Sequence, residues 1–215
     1  ETLKPFDEVV ISSGVTPRPV SISGIENKKV ITYPELISGE KKAGKKAVVI
    51  GAGGIGFDVA EFLINEHNSN SPIDNFISEW NIDKTLETLG GLLGDPFKPI
   101  EAAREVILLK RSKGKFGKDL GKTTGWIHRA TLKKAGVSMI HSVTYKEIDK
   151  QGIHIEVNGK SQFIEADSII ICAGQVSVNR LFNECKDRGI SVHLIGGAKN
   201  ATQLDAKTAI REGTE

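Results

Sequence analysis

The clearest indication of the fold lies in the stretch of residues 47–63, which reads AVVIGAGGIGFDVAEFL. Its first four residues are all apolar, which is typical of a parallel strand buried on both faces. A glycine-rich turn follows directly, and apolar residues then recur at helical spacing, so a helix is predicted from Phe57 to about Asn65. The stretch therefore predicts one strand–turn–helix unit of an alternating α/β fold. The turn has the pattern Gly-x-Gly-x-x-Gly, which indicates a dinucleotide-binding unit when it stands between a strand and a helix.

Each glycine of this turn has its own steric reason in such a unit. Gly51 allows the tight turn, Gly53 lets the backbone approach a pyrophosphate, and Gly56 lets the helix pack close to the strand. The helix N-terminus adds free N–H groups and a partial positive charge. A glycine-rich turn without a ligand is the alternative, and the flanking strand and helix argue against it. The candidate nucleotide contacts are the six residues of the turn: Gly51, Ala52, Gly53, Gly54, Ile55 and Gly56.

The residues after the second predicted strand, 105–109, indicate which nicotinamide nucleotide the unit takes. An acidic residue there binds the ribose 2′-hydroxyl of NAD, whereas a basic residue accommodates the 2′-phosphate of NADP. Here the strand is followed by Lys110, Arg111 and Lys113, with no acid among them. Arginine can hold a phosphate with two N–H groups, and lysine adds a point charge. NADPH is therefore the expected ligand. An ordinary exposed charged loop is the alternative, and the gap from the glycine turn exceeds the usual ~20 residues.

Composition excludes several other classes of protein. The 215 residues include 29 Lys and Arg against 27 Asp and Glu, so a polybasic nucleic-acid-binding arm is not expected. The apolar runs are far shorter than a membrane span, and no signal peptide is recognisable, so a cytoplasmic location is expected. Cys172 and Cys185 have neither a CxxC nor a metal-ligand spacing, so neither a disulfide framework nor a metal site is predicted. Cys172 is expected in the core.

Strands and helices alternate along the rest of the chain. Further strands are predicted at 105–109, 143–148, 153–157, 162–164 and 168–173, and helices at 124–134, 179–188 and 204–211. This order predicts an α/β doubly wound, Rossmann-like fold with a parallel sheet and a small antiparallel β crossover. Residues 66 to about 103, partly helical at 73–89, interrupt the order and are interpreted as an insertion.

Two flanking segments bracket the nucleotide unit. Ser13 and Gly14 follow an early strand, and Gly174 and Gln175 follow a late one. In both, the strand ends in small residues, where a ligand can approach the backbone. Two chain segments of this kind, one before and one after a nucleotide-binding unit, are typical of flavoproteins in which one nucleotide-binding domain is inserted in another. The predicted domains are an NADPH-binding domain at 44–166 and the remaining part of an FAD-binding domain at 1–43 and 167–215.

The sequence resembles the C-terminal region of the bacterial NADPH-dependent 2,4-dienoyl-CoA reductases, a fused flavoenzyme family of the old-yellow-enzyme type. The resemblance covers essentially all 215 residues, and its most distinctive run is LGKTTGWIHR at 120–129. The other shared runs are SSGVTPR at 12–18, VIGAGGIGFD at 49–58, EWNID at 79–83, ICAGQ at 171–175 and HLIGG at 193–197. The chain begins without Met and enters a strand almost at once, so it is expected to be a piece of a longer protein.

The resemblance implies a modular parent. It would carry an N-terminal (β/α)8 barrel with FMN, a [4Fe–4S] cluster, and an FAD- and NADPH-binding region. Electrons would pass from NADPH to FAD, then through the cluster and FMN to a 2,4-dienoyl thioester in the β-oxidation of unsaturated fatty acids. The implied partner of this chain is the absent barrel domain, so the isolated chain is expected to be inactive. No catalytic side chain is carried over, because the family's substrate-protonating residues lie in the barrel and the cofactors carry the hydride chemistry.

The resemblance also implies roles for residues outside the glycine turn. Gly174 and Gln175 would line the nicotinamide side. The FAD side would be formed by Ser13, Gly14, Gly196, Gly197, Asp205 and Ala206. The Gly-Asp pair that usually holds a flavin ribityl chain reads Gly196-Gly197 here, so an aspartate contact is not assumed.

Two other functions stay open. One is the electron-input module of another fused flavin enzyme, such as an enoate reductase or a relative of trimethylamine dehydrogenase. The other is a non-catalytic module that holds an adenine nucleotide as a structural element. Relatives without a pyridine nucleotide partner would have no need of Lys110 and Arg111 at a 2′-phosphate.

Overall fold

The structure, a computed structural model, describes residues 6–65, 72–94, 99, 101–202 and 204–215. Its strands are β1 (Val9–Ile11), β2 (Val15–Pro17), β3 (Val30–Thr32), β4 (Lys46–Ile50), β5 (Glu105–Leu109), β6 (Ser138–Ile140), β7 (Val143–Ile148), β8 (Gly152–Val157), β9 (Lys160–Glu165), β10 (Ser168–Ile171), β11 (Gln175–Ser177) and β12 (Val192–Leu194). Its helices are α1 (Tyr33–Ile37), α2 (Gly54–Ile64), α3 (Pro72–Glu79), α4 (Gly125–Lys134), α5 (Arg180–Asp187) and α6 (Ala206–Thr214).

The chain divides into two units. One comprises Glu1–Pro19 and Gly174–Glu215, and the other comprises Val20–Ala173. The domain boundaries predicted from the sequence are 43/44 and 166/167 instead. The difference arises because β10 pairs with β3 on one side and with β4 on the other, so that Ile169 lies opposite both Val30 and Val48. Both strands therefore belong to the unit that contains the glycine turn.

A five-stranded parallel sheet with the order β3-β10-β4-β5-β6 forms the centre of the larger unit. Residues 47–50 of β4 are at most 1% exposed. Ala47 and Val49 pack in one core with α2 and α4, whereas Val48 and Ile50 pack in a second core on the opposite face of the sheet. Since both faces are covered, the predicted buried parallel strand is confirmed, and with it the α/β fold class.

The second core is covered by a three-stranded antiparallel sheet with the order β7-β8-β9. This sheet is the predicted small antiparallel β part. The turn between β8 and β9 is formed by Asn158 and Gly159, whose φ angles of 51° and 77° are those a tight hairpin turn requires. Ile153 and Ile155 are at most 1% exposed, because alternate residues of β8 face the parallel sheet.

The turn between β7 and β8 contains a carboxylate that should make stability depend on pH. Asp149 accepts a hydrogen bond from His154 Nε2 at 2.8 Å and others from the N–H groups of Gly152 and Gln151. The His154 bond and then the backbone bonds lower the pKa of Asp149 from 3.8 to about 2. Because folding favours the ionised form, its stabilising effect is present above the ordinary pKa of 3.8 and is lost as the pH falls toward about 2.

We expect Asp149→Asn to lower Tm near neutral pH and to have little effect in acid. Thermal unfolding of both chains followed by circular dichroism from about pH 2 to 7 measures this, since linkage predicts that the two Tm curves converge as the native carboxylate protonates. Glu40→Gln is the control, because the Glu40 side chain is exposed and forms no hydrogen bond or ion pair with the residues described. A Tm difference that stays constant across the range would contradict the assigned role.

Part of the predicted insertion lies outside the described residues, namely 66–71, 95–98 and 100. In the rest, the helical part of 73–89 is α3, which ends at Glu79. Asp83 follows, 2% exposed, and accepts hydrogen bonds from the hydroxyl and N–H groups of Thr85 and Thr88. These bonds, led by the Thr85 hydroxyl, hold the pKa of the Asp83 carboxyl well below its usual range. An aspartate that accepts from the N–H groups after it favours a turn over a helix.

The smaller unit contains two short strand pairs. β1 and β12 pair in parallel, and β2 and β11 pair antiparallel. Ile11, Cys185 and Ala198 form its buried core, with α5 packed against β12. The predicted helix at 204–211 is α6, which begins at Ala206 because the carboxylate of Asp205 caps it. Across both units, no helix among the residues described is long and apolar enough to cross a membrane.

Candidate functional site

The glycine turn lies at the carboxyl ends of three neighbouring parallel strands. The N–H of Gly51 donates to the carbonyl of Leu109 at 2.9 Å, which joins the turn to the end of β5. On the other side, the N–H of Cys172 donates to the carbonyl of Ile50 at 2.8 Å, which joins β4 to the end of β10. In open parallel sheets, ligands bind in the crevice outside these carboxyl ends. The turn therefore stands at the edge of the sheet where a nucleotide is expected.

Two glycines of the turn are required by packing. Gly51 has a φ of +109°, and a Cβ there would come within 2.3 Å of the Cys172 carbonyl oxygen. A Cβ on Gly56 would come within 1.8 Å of the Gly51 carbonyl oxygen. Both distances are below any real contact, so neither position can hold a side chain unless backbone moves. These close approaches fit the tight turn predicted at Gly51 and the close helix packing predicted at Gly56.

The other two glycines leave space in front of the helix. A Cβ on Gly53 or on Gly54 would meet no atom within 4 Å. Gly53 is the N-cap of α2, and its carbonyl accepts the first intrahelical hydrogen bond, from the N–H of Phe57. The three N–H groups before Phe57 have no partner within the helix, as at any helix start. An uncrowded backbone with free donors at a helix N-terminus fits a pyrophosphate. The two remaining residues of the turn, Ala52 and Ile55, pack against the core beneath it.

The basic loop, defined here as residues 111–122, leaves the end of β5 beside this turn. Five of its side chains are exposed cations: Arg111, Lys113, Lys115, Lys118 and Lys122. None of the five forms an ion pair with any residue that the structure describes. Burial raises the pKa of Tyr145 on β7 to about 12, and the nearby charge of Arg111 opposes part of that rise. Two of the three cations predicted for the 2′-phosphate, Arg111 and Lys113, therefore present unpaired positive charge next to the glycine turn.

The third predicted cation, Lys110, is placed differently. It is 8% exposed. Its Nζ donates to the Lys115 carbonyl oxygen at 2.8 Å and lies 4.6 Å from the centroid of the Phe116 ring. The structure thus leaves Arg111 and Lys113 exposed on the surface of the unit and buries Lys110.

The run LGKTTGWIHR forms the end of the basic loop and the first half of α4. Thr124 is the N-cap of α4, but its side chain makes no capping hydrogen bond. His128 Nδ1 lies 2.7 Å from Glu61 Oε1, which links α4 to α2. Trp126 is 51% exposed. The contact of His128 with Glu61 could not be predicted from the sequence, because the two residues are far apart in the chain.

Gly174 and Gln175 lie in the smaller unit, at the start of β11. Gly174 has a φ of +100°, and a Cβ there would come within 3.3 Å of the Arg18 guanidinium carbon. The Arg18 N–H donates to the Gly174 carbonyl at 3.0 Å, and Arg18 Nη2 donates to the Gln175 carbonyl at 3.3 Å. Arg18 is therefore a further residue of this site. The run SSGVTPR contains it, but its partner lies more than 150 residues away.

The residues predicted for the FAD side all lie in the smaller unit. The hydroxyl of Ser13 donates to the Val178 carbonyl, and a Cβ on Gly197 would come within 3.4 Å of the Gly14 carbonyl carbon. The N–H of Gly196 donates to the Glu212 carboxylate at 2.6 Å, and this bond lowers the pKa of Glu212. Thus a glutamate from α6 binds the backbone where the usual Gly-Asp pair is missing. Asp205 and Ala206, at the start of α6, belong to the helix cap described above.

The remaining groups to consider are the buried cysteine and the side chains that could bind a metal ion. Cys172 is 7% exposed, so the predicted core position is confirmed, and burial raises the pKa of its thiol to about 12. Among the residues described, no three His, Cys, Asp or Glu side chains are grouped so that they could hold a metal ion. What the larger unit offers is an open helix N-terminus beside a cationic loop.

Comparison with known proteins agrees with this arrangement. A family described as pyridine nucleotide-disulphide oxidoreductase matches residues 1–208. A metal reductase of Desulforamulus reducens is 27% identical over 193 residues, which are 90% of this chain and 28% of that protein. A cinnamate reductase of Clostridium sporogenes is 23% identical over 206 residues, 95% of this chain and 26% of that protein. The structure of a 2-naphthoyl-CoA reductase with 2-naphthoyl-CoA superposes with a TM-score of 0.71 at 24% identity, covering 96% of this chain and 26% of that one. The chain thus spans about a quarter of the length of these proteins.

Proposed function

This chain belongs to the pyridine nucleotide-disulphide oxidoreductase family, whose domains bind FAD and NAD(P), and we propose that it is the NADPH-binding, electron-input module of a larger flavoprotein reductase. The observation that carries the proposal is the glycine turn. Gly51 and Gly56 close the turn onto the sheet, and Gly53 leaves the first turn of α2 open to a pyrophosphate. A turn that served packing alone would have no need of the space in front of Gly53.

The choice of NADPH over NADH rests on the basic loop. The 2′-phosphate of NADPH is the one anionic group that NADH lacks, and Arg111 and Lys113 are exposed and without an ion-pair partner among the residues described. Arginine matches a phosphate with two parallel N–H groups, and lysine supplies a point charge. An acid at the end of β5, which would select the 2′-hydroxyl of NADH, is missing.

The chain's own contribution to the reaction is binding and orientation. A bound nicotinamide supplies the hydride, and FAD is its expected acceptor. Gly174 and Gln175, held by Arg18, would line the nicotinamide side. Ser13 and Gly14 would lie toward FAD, together with Gly196, Gly197, Asp205 and Ala206. No acid or base side chain of this chain is required, because no proton moves in a hydride transfer between two cofactors.

We propose further that the parent protein is an enzyme of the NADPH-dependent 2,4-dienoyl-CoA reductase type, with FMN and a [4Fe–4S] cluster in an N-terminal barrel. The resemblance of the run LGKTTGWIHR to that family supports this proposal. So does the fact that the chain spans only about a quarter of the length of its relatives. The alternative is the input module of a different fused reductase, since one relative is a cinnamate reductase. Assays of the longest polypeptide that carries this chain, with NADPH and either 2,4-dienoyl-CoA or cinnamate, distinguish the two.

Calorimetric titration of the 215-residue chain with NADPH and with NADH tests the cofactor. We expect NADPH to bind at least about tenfold tighter, a difference of about 1.4 kcal/mol. We expect Arg111→Glu with Lys113→Glu to abolish that preference and to leave the NADH Kd nearly unchanged, since only the contact to the 2′-phosphate is removed.

The matched control is Lys28→Glu with Lys42→Glu. It makes the same change in net charge on exposed residues that precede β3 and β4, at the opposite edge of the sheet. This variant should keep the preference for NADPH. Equal NADPH and NADH affinities in the unaltered chain would reject the assignment, and retention of ADP with no NADPH binding would favour the adenine-nucleotide scaffold.

A further inference from the structure

The side chain of Lys110 is buried within the larger unit, and its ammonium contacts residues of that unit. A lysine is seldom this buried unless its ammonium is paired, because an unpaired buried charge is costly. At 8% exposure, Lys110 finds its partners in the basic loop itself: the Lys115 carbonyl oxygen at 2.8 Å and the Phe116 ring at 4.6 Å. Phe116 is itself 9% exposed. The first half of the loop is therefore folded back over the ammonium of the residue that precedes it.

A second cation, which is partly buried, contacts the middle of the loop. Arg129 of α4 donates from Nη1 to the Gly117 carbonyl oxygen at 3.0 Å. A Cβ on Gly117 would come within 3.0 Å of the Phe57 ring, so the loop backbone lies directly against that side chain. Phe57 is fully buried and belongs to α2, the helix whose N-terminus faces the pyrophosphate site. The loop therefore packs against the helix that begins at the glycine turn.

This construction separates two kinds of cation. Lys110 and Arg129 donate to backbone carbonyl groups of the loop, and the five exposed cations, Arg111, Lys113, Lys115, Lys118 and Lys122, face solvent. A loop that is already ordered loses less conformational freedom when it binds a ligand, which improves affinity without any new contact. Removal of an inner cation should therefore weaken phosphate recognition although no phosphate contact is removed.

We propose that Lys110 is a positioning residue for recognition of the NADPH 2′-phosphate, acting through Lys115 and Phe116 and not by touching the phosphate. The inference rests on the proposed function and changes one part of it, since the sequence pattern alone placed Lys110 with Arg111 and Lys113 as a direct contact. The two roles differ in one measurable way. A positioning residue depends on Phe116, and a direct phosphate ligand does not.

The test is a double-mutant cycle on the 215-residue chain with Lys110→Met and Phe116→Leu, read as the ratio of NADH Kd to NADPH Kd. We expect Lys110→Met to lower the ratio about tenfold, the effect of about 1.4 kcal/mol, with the NADH Kd unchanged. Phe116→Leu should lower the ratio on its own. The double variant should fall no further than the larger single effect, because both changes release the same loop.

Two more variants make the result specific. Lys110→Arg should keep most of the preference, because a guanidinium can also donate to a carbonyl and lie over a ring. Lys118→Met removes the same charge from the exposed side of the loop, and its effect should be smaller than that of Lys110→Met and additive with Phe116→Leu. The NADH Kd of each variant separates loop positioning from a general loss of stability, because a loss of stability would weaken NADH binding as well.

The outcomes distinguish the two proposals. If the unaltered chain shows no preference for NADPH, the proposed function and this inference both fail. If the preference is present and Lys110→Met keeps it, only the positioning role is rejected. If Lys110→Met removes the preference and Phe116→Leu has no effect or an additive one, Lys110 is a direct phosphate ligand instead.

Discussion

Replacing Gly56 by alanine is expected to destabilise the chain strongly and to abolish NADPH binding. The new Cβ would lie 1.8 Å from the Gly51 carbonyl oxygen and 2.9 Å from its carbon, and backbone cannot rotate away as a side chain can. Either α2 must move away from β4 or the turn must open. Overpacking of this kind costs about 3 kcal/mol, which for a chain of this length corresponds to a fall in Tm of roughly 6–12 °C. Both movements also disrupt the pyrophosphate site.

Gly54→Ala is the matched control for this substitution. It makes the same chemical change two residues earlier in the same helix, where a Cβ meets no atom within 4 Å. Alanine is favoured over glycine within helices by roughly 0.5–1 kcal/mol, so Tm should be unchanged or slightly raised. Thermal unfolding and NADPH titration measure both variants. Wild-type Tm and Kd for Gly56→Ala would show that the close approach of helix and strand does not require glycine.

Lys134→Met is expected to be the second most damaging change. The Lys134 side chain is 4% exposed, its Nζ donates to the Glu79 carbonyl at 2.6 Å, and it lies 4.4 Å from the centroid of the Trp80 ring. Methionine fills similar space but provides neither the hydrogen bond nor the cation. A charged hydrogen bond and a cation–π contact together justify a loss of about 2 kcal/mol, or roughly 4–8 °C in Tm.

The location of Lys134 makes a further outcome specific. It lies at the last residue of α4, about 15 Å from the end that carries the basic loop. The NADPH Kd should therefore stay unchanged, while limited proteolysis should cut more rapidly next to α3. Lys133→Met is the control, because Lys133 is the adjacent residue of the same helix and is exposed. If both variants unfold at the same temperature, the contact between Lys134 and Trp80 does not stabilise the insertion.

Features that depend on neighbouring residues could be predicted from the sequence. The strand β4, the glycine turn and the helix α2 are contiguous, so the apolar run, the glycine spacing and the helical periodicity together indicate them. The turn at Asn158 and Gly159 is local in the same way, since these two residue types tolerate positive φ. The core position of Cys172 is local too, because this cysteine directly follows the apolar run of a buried strand.

Features that depend on distant pairing could not. The unit boundaries at 19/20 and 173/174 follow from the pairing of β3 with β10, in which Val30 lies opposite Ile169. A three-residue strand has too little sequence to show such a partner. The contact of Arg18 with Gly174, and that of His128 with Glu61, arise in the same way from residues far apart in the chain.

Some features of the basic loop could be predicted from the sequence, and others follow only from the tertiary structure. From the sequence alone, this protein has a glycine turn suited to a pyrophosphate and a run of cations after the next strand, because both are properties of residue type and spacing. Only the tertiary structure separates Lys110 from Arg111 and Lys113, although the three stand within four residues of each other. The reason is burial, because Phe116 and the Lys115 carbonyl cover the Lys110 ammonium, whereas the charges of Arg111 and Lys113 are exposed to solvent.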